Sequence, residues 1–491
     1  MSRVACLLVV DLPVAAACRA DPDLLGLPLA LTEQDGPHAP VLAAADAAQA
    51  LGVRPGQHSV AQARAVAADV VVRRRNHAAE RSAVQALADV AASVASRVEV
   101  AGDAVFLDAT GATHLVESES GLATALVARA ERVGLAARVG VAATMTTARL
   151  AARHGTGTEV VPLGTDLGFL APLPVACLDA GPALVRTLAR WGVHRLGDLA
   201  RLPIAEVGTR LGADGAALVR RARGLDERPL MPTPRSGDVE EAALLDHPVD
   251  TLEPLLFVLR GLVDRAVERL GLAGIGCTRL QVAMRLDDRS RDERTLRLAA
   301  PTRDVKTIVT LLRLDVEARP PRAAIVDVAL TVVPEVVRPT QLGLFAPAGP
   351  APERLATTLA RLGVLCGPER VGTPVVLDTH RPGAAEVTAF DPTTAATSGD
   401  TSTRCRLVVR TVRPPARLEV FSDRDRPAFV RGRGLGGRVV EAAGPWRITA
   451  EWWNEAPCRR DYYDLELSDG GLYRCFRDLA SGRWFVDGIY D

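Results

Sequence analysis

VEVAGDAVFLDATG, residues Val98 to Gly111, is the stretch from which the rest of the chain can be read. An Ala-Val-Phe-Leu core between two aspartates, closed by Thr-Gly, predicts a buried strand ending in a turn. On that reading Asp103 enters the middle of the strand, where a lone carboxylate is costly unless something positive meets it. A second aspartate of this kind is Asp11, at the end of the apolar run Val4 to Val10. Two strands that each deliver an aspartate to one place can hold magnesium against phosphates. Each aspartate can equally well end its strand and cap a turn, and the spacing leaves both readings open.

Composition narrows the classes. At 491 residues the chain has room for several domains, and its equal numbers of acidic and basic residues give a net charge of zero. Any nucleic-acid binding must then come from local basic surface rather than bulk charge. Lys306 is the sole lysine, which excludes P-loop and Schiff-base chemistry almost everywhere. The cysteines Cys6, Cys18, Cys177, Cys277, Cys366, Cys405, Cys458 and Cys475 are scattered without a C-x-x-C, so neither a zinc site nor a disulfide framework is indicated. The apolar start is too short, and too soon interrupted by Asp11, for an export signal or a membrane span. The expected location is cytoplasmic, and no membrane partner is expected.

The residues around both aspartates resemble the catalytic motifs of the Y-family translesion DNA polymerases. The family's Ser-Ile-Asp-Glu, followed two residues later by Leu-Asp, matches Ala101, Gly102, Asp103, Ala104, then Leu107 and Asp108. Its Asp-x-Asp-x-Phe, followed by the aromatic that screens the incoming sugar, matches Asp11 to Ala16. The glutamate is replaced by Ala104 and the sugar-facing aromatic by Ala16. The triphosphate-binding tyrosine and arginine fall on Asp46 and Gln49, and the phosphate-neutralising lysine falls among Ala142, Ala143 and Thr144. An acid facing a triphosphate repels it where arginine would pair with it. The resemblance thus implies that Asp11 and Asp103 are vestigial, that no residue is catalytic, and that no metal or other cofactor is used. Magnesium enters only if the chain is a weakly active polymerase.

Further along, the text continues the resemblance and implies a mixed α/β, multidomain fold with the family's right-hand architecture. Residues 1–11 and 75–165 would form the palm and 12–74 the fingers, with a strand at Leu29 to Leu31 and two short helices on either side of Gly52 to Gly56. Arg73 to Ala101 is helical in pattern, and Gly121 to Val133, Ala136 to Val141 and Thr146 to His154 read as helix, strand, helix. Residues 166–235 resemble the thumb: LDAGPALVRTLARWGVHRLGDLARLP is similar to its helix-hairpin-helix, with Gly181 at the turn and Arg186 and Arg190 toward DNA. Residues 238–338 read as strand, long helix, two strands, helix, strand, a small sheet with helices on one side that resembles the little finger. There Arg279, Arg285, Arg294 and Arg297 are spaced to place positive charge on one sheet face, and Arg279, Arg285 and Arg297 are the candidate DNA contacts.

Gln341-Leu342-Gly343-Leu344-Phe345 stands between prolines, too short to fold a core of its own. It is similar to the sliding-clamp motif of bacterial polymerases and repair factors, with Gln341 at the pocket rim and Leu342, Leu344 and Phe345 in apolar subsites. Residues 346–403 retain some helix before a Thr/Ala/Ser/Gly linker, Pro382 to Thr403, expected to be disordered. Residues 404–491 form the last part, in which all the tyrosines and every tryptophan but Trp191 lie between Trp446 and Tyr490. Alternating segments separated by turn signals predict a small β-domain. Some of its aromatics are core, and Trp452, Trp453, Tyr462, Tyr463 and Trp484 are the candidates for partner binding.

Eroded catalytic motifs, an internal clamp motif and a C-terminal aromatic β-domain together resemble the ImuB subgroup of the Y family. That implies a non-catalytic adaptor in DNA-damage-induced mutagenesis, which binds DNA and joins the sliding clamp to an error-prone C-family polymerase and a RecA-like accessory protein. A weakly active translesion polymerase and a clamp-associated repair factor of another kind are the alternatives.

Overall fold

The computed structural model describes residues 3–111, 116, 118–226, 228–234 and 237–336, scattered positions between 355 and 369, then 370–382, 384–388, 408–424, 426–432, 434–454 and 457–490. The chain divides into two units, Met1–Arg361 and Leu362–Asp491.

The first unit is built on a five-stranded sheet in the order β5-β6-β1-β7-β8, with β1 Val4–Leu8, β5 Val98–Ala101, β6 Ala104–Asp108, β7 Arg138–Ala142 and β8 Thr158–Val160. The central strand β1 is buried along its whole length because both sheet faces are covered. Ala5 and Leu7 point to one side, where Val105, Leu107, Val139 and Val141 meet helices α4 (His77–Ala92) and α5 (Glu119–Arg132). Val4, Cys6 and Leu8 point to the other, against α6 (Met145–His154). Gly140 is required there: a Cβ would lie 2.1 Å from the Ala148 carbonyl oxygen. Cys6 sits wholly within this layer, and burial raises its thiol pKa far above the ordinary range.

The stretch Val98–Gly111 is a hairpin, not one strand. Ala101 pairs with Ala104, and Gly102 (φ 64°) and Asp103 form the two-residue loop. The Gly-Asp pair between two alternating runs is turn chemistry, which overrides the continuous reading. Asp103 therefore stands at a hairpin tip.

A three-stranded sheet, β3-β2-β4, follows helix α1 (Leu12–Ala20) and comprises β2 Leu29–Thr32, β3 Val41–Ala44 and β4 Val71–Arg74, with helices α2 (Asp46–Ala50) and α3 (Val60–Val66). Leu29 to Leu31 is a strand as expected. Val41–Ala44 and Val71–Arg74 are strands where helix was expected, and at β5 the expected helix Arg73 to Ala101 overran the strand expected from Val98, because pairing with a neighbour outweighs local helical propensity. The helical segment α7 (Asp166–Leu170), α8 (Pro182–Arg190), α9 (Leu196–Arg201) and α10 (Ile204–Ala222) has its own core around Leu188, Leu196, Leu199 and Leu218.

A four-stranded antiparallel sheet completes the unit in the order β11-β10-β12-β9, from β9 Val239–Val249, β10 Ile275–Leu286, β11 Arg291–Thr302 and β12 Ile325–Val336. Helices α11 (Leu252–Leu272) and α12 (Val305–Ala318) cover one face, the strand-helix-strand-strand-helix-strand order expected from the sequence. Buried charge joins this sheet to the central one. Glu241 of β9 accepts hydrogen bonds from Arg19 at 2.7 and 2.9 Å, Arg269 at 2.9 Å and Arg265 at 3.1 Å. Arg269 also donates to Asp89 of α4 at 2.8 Å. Burial pushes the Glu241 carboxyl up, but Arg19, Arg269 and Arg265 outweigh it and hold the pKa at about 2. The connecting segment is pinned as well, through the Thr233 N–H on the Val98 carbonyl at 2.9 Å.

The second unit contains a two-stranded hairpin, β13 Thr373–Val376 with β14 Ala385–Thr388, and a closed six-stranded meander barrel. The barrel strands are β15 Val409–Asp423, β16 Arg426–Gly432, β17 Leu435–Ala450, β18 Cys458–Leu467, β19 Leu472–Asp478 and β20 Trp484–Tyr490. Ala385–Thr388 lies within the stretch expected to be disordered; Val387 and Thr388 find partners in Pro374 and Thr373, which stay out of view in a reading of 382–403 alone. The architecture is mixed α/β followed by a β-rich unit, and among the described residues no helix is long and apolar enough to cross a membrane.

The carboxylate site and candidate nucleic-acid interface

At the hairpin tip Asp103 accepts a hydrogen bond from Arg149 at 2.9 Å and faces Arg153 at 3.6 Å. Both arginines lie on α6, one turn apart, and reach Asp179 at 3.8 and 3.9 Å. Asp11 stands at the end of β1 in the left-handed region (φ 52°), where it starts α1 without capping it. Its carboxyl pKa is raised, first by burial and then by Asp46, against the opposing pull of Arg153. Arg153 thus acts on both Asp11 and Asp103, and Arg149 joins it at Asp103.

The flanking positions do not complete a nucleotide site. Ala104 and Ala16 are packed into the core. Asp46 opens α2, exposed, and Gln49 turns its amide back onto the Ala44 carbonyl at 2.7 Å. Ala143 is half-buried and brings no charge. Among the described residues no three His, Cys, Asp or Glu side chains gather as metal ligands. The donor set does not suit a divalent ion: Asp103 is already neutralised by arginine, and a magnesium ion would have to displace a charge-assisted hydrogen bond.

On the four-stranded sheet, the face away from the helices carries the arginines in register. Arg279 lies opposite Arg297, and Arg285 opposite Arg291, all exposed. Arg291 was missed in the sequence, although strand alternation from Arg297 would have found it. Arg285 is partly offset by Asp327 at 3.5 Å. Arg294 departs from the expectation: it is opposite Val282 and turns to the covered face, where Asp292 and Asp315 hold it at 2.7 and 3.2 Å. An even-numbered position cannot share a face with Arg279, Arg285 and Arg297 in regular pairing.

In the helical segment Arg186 and Arg190 are exposed on α8. Gly181 is the N-cap of that helix, whereas the turn between α8 and α9 is made at Gly192, whose φ of 76° needs glycine. The motif Gln341, Leu342, Leu344 and Phe345 lies outside the described residues. In the barrel, Trp452 and Trp453 are 70% and 68% exposed and meet edge to face at 5.5 Å. Their turn is held by Glu451, which accepts from Thr379 at 2.7 Å and pairs with Arg381 at 3.2 Å. Tyr462 is buried, with its hydroxyl on Asp487 at 3.0 Å, and Tyr463 packs half-buried on Trp484 at 4.8 Å. Of the five candidate partner aromatics, the adjacent tryptophans are the exposed ones.

The impB/mucB/samB family pattern matches residues 11–153, and the pattern of that family's C-terminal domain matches residues 241–322. Protein ImuB of Caulobacter vibrioides (strain NA1000 / CB15N) is 31% identical over 463 residues, covering 90% of this chain and 100% of its own. DNA polymerase IV of Halorhodospira halophila is 31% identical over 219 residues, 44% of this chain and 61% of its own. The DinB structure from Sulfolobus solfataricus aligns with 68% of this chain and 100% of its own at 18% identity and a TM-score of 0.41. With the whole length of a relative matched above 30% identity, and both domain patterns in place, this chain belongs to the ImuB family of Y-family polymerase homologues.

Proposed function

We propose that this chain is a non-catalytic adaptor of DNA-damage-induced translesion synthesis. The observation that carries the reading is the pairing of Asp103 with Arg149 and Arg153 at the place where a polymerase of this family would need metal ions. Nucleotidyl transfer needs carboxylates free to bridge two ions and a cation on the triphosphate. Losing one such stabilising group typically costs ~100 to 1,000-fold in rate. Here several are missing together.

In this reading residues 1–11 and 75–165 serve as palm, 12–74 as fingers, 166–235 as thumb and 238–338 as little finger. The exposed Arg279, Arg285, Arg291 and Arg297 face a DNA backbone, with Arg186 and Arg190 as further contacts. Gln341 to Phe345 docks on the sliding clamp. The barrel, through Trp452 and Trp453, holds the error-prone C-family polymerase and the RecA-like accessory protein, and the work is done in the cytoplasm, at the nucleoid. The retention of Asp11 and Asp103 favours one alternative, a weakly active polymerase dependent on magnesium. Primer extension with the purified chain separates the two: the adaptor reading expects none with magnesium or manganese, and template-dependent extension would overturn it.

A further inference from the structure

The outer wall of the barrel along β15, β16 and β17 combines exposed rings with exposed cations that have no ion-pair partner among the described residues. Strand alternation turns Leu418, Val420 and Val430 toward the barrel core and leaves Arg417, Glu419, Phe421, Phe429 and Arg431 outside. Register places Phe421 opposite Phe429 and Phe429 opposite Arg438, so rings and guanidinium form one row across three strands. The ring centroids are 6.2 Å apart, and the residues are 55% and 43% exposed. In the next row Arg431 lies opposite Glu419, with which it pairs at 2.7 Å, and opposite Gly436, which keeps the wall low.

Among the described residues the charges on this wall are not balanced internally. Arg417, Arg424, Arg426 and Arg438 are exposed and have no ion-pair partner among the described residues, while Asp423 is the remaining acid of the β15–β16 hairpin among them. Phenyl rings at such exposure contribute little to a core whose interior is already filled by Leu418, Val430, Leu465 and Val486. An apolar peptide laid on the rings would leave the surrounding guanidiniums without counter-charge. A strand of alternating flat bases and phosphates satisfies both.

The geometry points to a single-stranded nucleic acid lying across this wall, its bases stacked on Phe421 and Phe429 and its phosphates against Arg417, Arg424, Arg426 and Arg438. This site is separate from the arginine face of the four-stranded sheet, whose double-stranded ligand would be met through backbone charge without ring stacking. The barrel then holds unpaired template independently of the duplex.

The test uses the full chain and two probes, an oligo(dT) of about 16 nucleotides and a duplex, followed by fluorescence anisotropy across a salt series. Phe421→Ala with Phe429→Ala weakens oligo(dT) binding about tenfold or more and leaves duplex binding within about twofold. Arg417→Ala with Arg438→Ala keeps the rings and lowers the slope of log affinity against log salt by about 1.4, from about 0.7 for each phosphate contact on a single strand. Thermal unfolding establishes that each variant is folded; if the phenylalanine variant is not, the arginine variant decides alone. Unchanged oligo(dT) binding in the folded variants overturns the inference. So does a phenylalanine variant that keeps oligo(dT) but no longer captures a protein partner, which makes the wall a protein-docking surface.

Discussion

Asp103 accepts a hydrogen bond from Arg149 at 2.9 Å, so the carboxylate at the tip of the central hairpin is neutralised from within the chain. Arg153, one turn farther along the same helix, stands behind it at 3.6 Å. A residue that reads as a metal ligand by position is thus met by two arginines of its own chain. That distinction governs what its substitution should do.

The purified protein should incorporate no nucleotide, and Ala104→Glu alone should not rescue it. Ala104 is 0% exposed among Val4, Cys6 and Leu8, so an added carboxylate must either be buried at high cost or disturb the sheet. Asp46, the self-bonded Gln49 and Ala143 would still leave the triphosphate unheld. Primer extension by the variant is the measurement, and product above background would show that a single ligand suffices.

Asp103→Ala should change stability by no more than ~1 kcal/mol. Its side chain and that of Arg149 are about a third exposed (31% and 32%), and ion pairs so placed are worth ~0–1 kcal/mol. Damage-induced mutagenesis in cells should survive this change and Asp11→Ala, yet be lost on deletion from Arg404 onward. Cells in which Asp103→Ala abolishes mutagenesis while the truncation supports it would place the activity in the central sheet.

Glu241 should behave in the opposite way. Arg19 and Glu241 are 3% and 1% exposed, and Glu241→Ala would leave three arginines facing one another, a loss of ~3–5 kcal/mol. The carboxyl is held at about 2 against an ordinary 4.5. Its contribution is therefore complete above about pH 4.5 and falls as pH drops toward 2, because the unfolded chain takes up the proton first. The full shift corresponds to roughly 3 kcal/mol. Urea unfolding at about pH 6 and about pH 3 should show this dependence in the unmodified chain and a flatter one in Glu241→Gln.

Leu344→Ala with Phe345→Ala should abolish binding to the sliding clamp and leave the unfolding transition unchanged. Apolar anchors of this kind commonly carry ~2 kcal/mol or more of an interface. Surface plasmon resonance on immobilised clamp gives the answer, and equal affinity for both proteins would make the motif accidental.

Trp452→Ala with Trp453→Ala should leave stability within ~0.5 kcal/mol, since both rings stand in solvent. The same change should weaken capture of the partner polymerase or accessory protein by ~2 kcal/mol, about thirtyfold. Tyr462→Ala is the contrasting variant: its hydroxyl is buried on Asp487, and its loss should destabilise the barrel by ~3 kcal/mol or more. A partner that binds the tryptophan variant undiminished would move the docking surface elsewhere.

Local pattern was enough to read the order of elements in the four-stranded sheet, its long helix included, and the erosion at Ala16, Gln49 and Ala104, because periodicity and residue type are properties of adjacent positions. It also marked the last part of the chain as β-structure. It misread Val98–Gly111 as one strand and Val41–Ala44 as helix, since whether a short segment extends depends on a neighbour to pair with. Arg294 went to the wrong face because Arg291, Arg294 and Arg297 recur every third residue, and only the register with Val282 sorts them between the two faces. Tyr462 and Trp452 look alike as aromatic text, and closure of the barrel is what buries one and exposes the other. Arg19, Glu241 and Arg269 come from distant parts of the chain and meet only when the two sheets pack. Arg149 and Arg153 were visible as a basic pair one helical turn apart, but their meeting with Asp103 required α6 to lie across the hairpin tip. Contacts of this kind are set by packing over long separations, and no local periodicity encodes them.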